Sequence, residues 1–96
     1  MSLEIHNDEK ARKFYAVIDG QEAVIEYAKM DGTYNLAHTY VPEELRGQGI
    51  AEQLVQGTLE QIRREGAEFL PSCPYIQAFL KRHPEYQEGV PDTSQS

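Results

Sequence analysis

Two Asp-Gly pairs, Asp19-Gly20 and Asp31-Gly32, cut the first half of the chain into three β-rich segments. Asp-Gly between apolar segments is a strong hairpin signal, because the tight turns that join antiparallel strands need backbone with φ > 0. The segments are Lys13 to Asp19 (KFYAVID), Glu22 to Met30 (EAVIEYAKM) and Thr33 to Val41 (TYNLAHTYV). β-branched and aromatic residues fill the first. The second is also rich in Glu and Ala, which suit helices. Three strands joined by two tight turns predict an antiparallel meander. Leu3 to His6 adds a marginal edge strand ahead of it, and Pro42, which cannot donate to a ladder, ends the third strand.

The second half changes period. Ala51, Leu54, Val55, Thr58, Leu59 and Ile62 recur at helical spacing and predict one buried stripe. Glu60 and Arg64 sit four apart on the wet side. Gly57 lies mid-helix at a cost of about 1 kcal/mol relative to Ala, so it is read either as a site of close packing or as tolerated. Gly66 suits the position just past the helix end. Ala67 to Ser72 (AEFLPS) reads as a short strand, and Pro74 as the first turn of a second helix reaching about Arg82, which Pro84 stops. The order is β-β-β-α-β-α. The strands before and after the long helix can lie parallel through a right-handed crossover, so the fold class is α+β with a mixed sheet. The expected organisation is a flexible or edge-strand N-terminus over 1–12, one domain over 13–87 and a frayed tail over 88–96.

The chain has 96 residues, sufficient for one domain. Its net charge of −7 argues against nucleic acid, which wants a basic stripe, and is compatible with a cationic partner such as an amine or with solubility alone. No apolar run approaches the roughly 18 residues of a membrane span, and MSLEIHNDEK lacks the pattern of a secretory signal. The lone cysteine, Cys73, cannot form an internal disulfide. The expectation is a cytoplasmic protein without membrane or nucleic-acid partners.

The turn Arg46 to Ala51 (RGQGIA) opens the long helix, and no Ser, Thr, Asp or Asn stands there to cap it. The first four N–H groups of a helix have no internal partner, and with the helix dipole they favour an anion. Gly47 and Gly49 let the backbone approach a ligand, and Arg46 adds a forked cation. A P-loop is excluded, because Ile50-Ala51 stands where Lys-Ser/Thr is needed. A dinucleotide fingerprint is a poor match, with Glu52 at its last glycine and a meander ahead of it. Glu52 in the first turn would repel a phosphate unless it points away. Water on the N–H groups of a plain glycine turn is the alternative reading.

Arg46-Gly-Gln-Gly49-Ile-Ala51 resembles the Arg/Gln-x-x-Gly-x-Gly/Ala signature of the GNAT acetyltransferases. From Phe14 to Tyr86, HTYVPEELRGQGIAEQLV followed by SCPYIQAFLKRHPEY is similar to the short stand-alone, YjdJ-like members of that family. The resemblance implies a minimal GNAT fold and acetyl-CoA as cosubstrate. It implies that Arg46, Gly47, Gln48, Gly49, Ile50 and Ala51 bind the pyrophosphate. The pantetheine arm would add as a strand along Leu36 to Val41. The acceptor implied is a primary amine, on a small molecule or a protein lysine. The chain departs from the family at Tyr40, where an acidic residue is common.

Acetyl transfer needs a base for the attacking amine, or a cysteine that takes the acetyl group first. His38 is the candidate base: alternation puts it on one face with Leu36 and Tyr40, and its pKa range suits the task. A structural histidine is the alternative. Cys73, just before a helix start, is read equally as a nucleophile, which the resemblance implies would lie near the thioester, or as a small buried hydrophobe. Tyr75 is read as core packing or as a proton donor to the departing thiolate, His83 as packing or facing water, and Lys81 and Arg82 as contacts to the outer phosphate or an exposed helix end. His6, His38, His83 and Cys73 lack the spacing of a metal site, so none is expected. The rival to an acetyltransferase is a CoA-binding or protein-interaction module without turnover.

Overall fold

The computed structural model describes residues 3–89. Five strands form one sheet in the order β1-β2-β3-β4-β5, where β1 is His6–Asp8, β2 Lys13–Ile18, β3 Gln21–Met30, β4 Thr33–Tyr40 and β5 Glu68–Pro71. The first four are antiparallel neighbours, and β5 lies parallel to β4. The crossover between them is α1, Ile50–Glu65, and α2, Pro74–Arg82, follows β5. Short 3₁₀ turns occupy Glu43–Leu45 and Pro84–Gly89. The fold is α+β with a mixed sheet, as the alternation of periods predicts.

Both Asp-Gly pairs turn as expected. Asp19 and Gly20 have φ of 53° and 76°, and Asp31 and Gly32 have 52° and 77°. Positive φ at both central residues defines the turn whose twist matches the strands it joins. The edge strand lies at His6–Asp8 rather than Leu3–His6. Leu3 and Ile5 pack against the core instead. A Cβ at Gly57 would stand 2.7 Å from Ile5 Cγ1, so this mid-helix glycine is there for close packing. Gln61 Nε2 donates to the Ile5 carbonyl at 2.7 Å and fixes the same segment. The expected tail over 88–96 lies, beyond Gly89, outside the described residues.

The core lies on one face of the sheet. Phe14 and Ala16 of β2, Ala23, Ile25 and Tyr27 of β3, Tyr34 and Leu36 of β4 and Phe69 of β5 are buried there. Leu54, Val55, Leu59 and Ile62 of α1 and Ile76, Phe79 and Leu80 of α2 meet them in one cluster. Polar links close the far end: Tyr34 Oη donates to Glu65 Oε1 at 2.6 Å, and Tyr27 Oη to Asn7 Oδ1 at 2.6 Å. The opposite face carries alternating polar residues and exposed Val17 and Leu70.

One irregularity shapes the site. Glu26 faces His38, but its neighbour Tyr27 faces Leu36, so Ala37 is an extra residue on β4. Such a bulge bends the strand and resets its alternation. Thr39 pairs with the core-facing Ile25, whereas His38 pairs with the exposed Glu26. The expectation that His38 shares a face with Leu36 is therefore corrected: His38 and Tyr40 lie on the open face, and Thr39 takes the inward position. No helix of the described residues is long and apolar enough to cross a membrane.

Candidate functional site

α1 begins without a side-chain cap, as its sequence predicts. Its N-cap is Gly49, in left-handed backbone at φ 75°, and Gly47 is left-handed too at φ 82°. The first main-chain bond of the helix runs from the Gln53 amide to the Gly49 carbonyl at 3.1 Å. The amides of Ile50, Ala51 and Glu52 lie ahead of that ladder, at the positive end of the helix dipole. The turn is braced from behind: Arg46 Nε donates to the Val41 carbonyl at 2.9 Å, and Gln48 Nε2 donates to the Glu44 carbonyl at 3.1 Å.

A groove of about 500 Å³ opens over this turn, lined by Arg46, Gly47 and Gly49 through Glu52, with Val41, Tyr75 and Arg82 across it. A second hollow of about 350 Å³ is lined by His38, Thr39 and Tyr40 of β4. Val41, Arg46, Ala51 and Tyr75 line both, which makes them one trough from the helix start to the end of β4. Glu52 does not stand free in it. Its Oε2 lies 3.1 Å from His83 Nε2 and 3.6 Å from Arg82 Nη2, so its charge is matched by the end of α2.

β4 and β5 pair only as far as Leu36 and Pro71. The Cys73 amide adds one last bond to the Leu36 carbonyl at 2.9 Å, and the chain then turns into α2. Among the described residues, no strand lies beside Ala37–Tyr40 on that side. An extended ligand can add there by main-chain hydrogen bonds, as an edge strand would.

Cys73 caps α2 at this divide and is 6% exposed. Its Sγ is 3.4 Å from Thr39 Oγ1. Burial pushes the thiol up, but hydrogen bonds from the Thr39 hydroxyl and from the amides of Ile76, Tyr75 and Thr39 outweigh it, and the thiol lies below its ordinary value. A helix N-terminus acts on a thiol in the same direction.

Most sequence-predicted residues therefore converge. Val41, Arg46, Gly47, Gly49, Ile50, Ala51 and His38 line the trough. Gln48 braces its back, and Cys73 sits beside it through Thr39. Lys81 is exposed and lines neither part; Arg82, one residue on, is the cation of α2 that does. Thr39 was not singled out by sequence, because unbroken alternation sends it to the wrong face. The one signal for it is parity: Leu36 and Val41, both buried, are five apart, an odd spacing that one regular strand cannot give to a single face. No group of three or more His, Cys, Asp or Glu able to hold a metal occurs among the described residues.

Residues 13–89 match the family described as GCN5-related N-acetyl-transferase. A GCN5-like protein from Staphylococcus aureus, solved by NMR, superposes with a TM-score of 0.68 at 32% identity, over 93% of this chain and 88% of the other. Protein NATD1 of Danio rerio is 34% identical over 92% of this chain and 84% of its own length. Protein NATD1 of Homo sapiens is 31% identical over 85% of this chain and 75% of its own.

Proposed function

The chain belongs to the GCN5-related N-acetyltransferase family, and from that premise we propose that it binds acetyl-CoA and transfers the acetyl group to a primary amine. The observation that carries this is the single trough joining the uncapped start of α1 to the unpaired end of β4. The pyrophosphate lies against the amides of Ile50, Ala51 and Glu52, with Arg46 and Arg82 as counter-charges. The pantetheine arm runs along Ala37–Val41 and brings the thioester to His38 and Thr39.

In the transfer, the amine nitrogen attacks the thioester carbonyl. A C–N bond forms, the C–S bond breaks, and coenzyme A leaves as the thiolate. His38 takes the proton lost by the amine, a role worth about 10²- to 10⁴-fold in rate. Direct attack is preferred to an acetyl-cysteine route, because His38 lines the trough while Cys73 does not.

Isothermal calorimetry with acetyl-CoA, combined with amide shift mapping, tests the binding. Shifts should concentrate at Gly47–Glu52 and Ala37–Val41; a diphosphate that perturbs other amides overturns the reading. Thiol release with a panel of amines tests the transfer. His38→Ala should lower it by at least about 10²-fold. Binding without release from any amine identifies a non-catalytic CoA-binding module instead.

A further inference from the structure

We propose that Glu26 is a specificity residue for the acceptor, selecting primary amines that carry a second positive charge. The inference rests on His38 being the base of the transfer described above. The bulge at Ala37 turns His38 onto the open face of the sheet, where it stands directly opposite Glu26 of β3. Residues paired in this way have Cβ atoms about 5 Å apart. Both side chains are exposed. An amine delivered to the imidazole therefore arrives beside a carboxylate.

That carboxylate is unspent. Lys13 is its partner in register on β2, but the Lys13 ammonium instead donates to Glu22 Oε1 at 2.6 Å and lies over the Tyr15 ring at 5.3 Å. No ion-pair partner is found for Glu26 among the described residues. Val24 and Tyr40, the next pair along the same face, offer apolar surface to a short alkyl chain. The attacking nitrogen must be neutral, so the charge that Glu26 attracts has to belong to a second group on the acceptor. A diamine or a lysine beside another cation meets that requirement, whereas a simple alkylamine does not. The net charge of −7 favours the same class at long range.

Cadaverine and n-pentylamine differ only in that second amine, and they make the test. The wild-type protein should prefer cadaverine in kcat/KM by about fivefold, the upper range for a solvent-accessible ion pair. Glu26→Gln should raise the KM for cadaverine and bring the ratio close to one. Glu68→Gln, on the same face but away from His38, should leave the ratio as it is. Cadaverine-induced shifts of the Glu26 and His38 amides in the coenzyme-bound protein give a readout independent of turnover. They should weaken in Glu26→Gln. Equal use of the two amines, a preference that survives Glu26→Gln, or shifts that ignore the substitution would each overturn the inference. Failure of acetyl-CoA to bind is a separate result, read by calorimetry, and bears on the proposed function.

Discussion

Two hydroxyls in this protein differ in what they do for the fold. The Thr39 hydroxyl meets the Cys73 sulfur at 3.4 Å and helps hold the thiol below its ordinary value. Thr39→Val should therefore raise the pH midpoint for alkylation of Cys73 by iodoacetamide, and an unchanged midpoint would assign the shift to the α2 amides alone. A thiol lowered in the folded state adds stability above the pKa of the unfolded chain and loses it as pH falls through the folded value. The Thr58 hydroxyl, by contrast, is fully buried on α1 and has no hydrogen-bond partner among the described residues. A buried unsatisfied group costs about 1–3 kcal/mol, and valine has nearly the same shape. Thr58→Val should stabilise the protein by about 1 kcal/mol, visible as a higher urea midpoint at unchanged slope. Sequence placed Thr58 in the buried stripe, but could not tell whether its hydroxyl had a partner, since that depends on what other elements bring to it.

At the scale of elements, the sequence was most legible where one residue type has one physical use. The Asp-Gly pairs predicted two turns with positive φ, and the uncapped, glycine-flanked start of α1 is as the RGQGIA stretch implies. Legibility failed where two elements decide together. The bulge on β4 hides inside TYNLAHTYV, whose alternation reads as unbroken until Leu36 and Val41 are both required to be inside. Likewise, Gly57 has two readings in sequence, and Ile5, which lies across it, decides between them. An alanine there gains about 1 kcal/mol of helix propensity but would stand 2.7 Å from Ile5 Cγ1. Gly57→Ala alone should therefore destabilise, by displacing Ile5 from the surface of α1. In an Ile5→Ala background the same change should stabilise by about 1 kcal/mol. A double-mutant cycle by chemical denaturation reads the coupling, and simple additivity would mean that the segment around Ile5 is not packed on the helix.

At the scale of the whole molecule, charge sets a conflict between the site and its surroundings. The trough offers helix amides with Arg46 and Arg82, yet the chain as a whole carries −7 and coenzyme A is itself a polyanion. Distance decides which dominates. At about 0.01 M salt the Debye length is about 30 Å. That is comparable to a molecule measuring 44 × 30 × 21 Å, so an approaching anion feels the full net charge and is repelled. At about 0.15 M the length falls to about 8 Å, and only charges lining the trough still act on it. The association rate of acetyl-CoA should therefore rise between those two salt concentrations, the reverse of the usual trend for an anion entering a cationic site. Further salt should then slow it, as the local cations are screened in turn. Stopped-flow measurements across this range would show a maximum. A rate that falls steadily from the lowest salt would mean that Arg46, Arg82 and the amides of α1 govern the approach even from a distance, outweighing the acidic remainder of the chain.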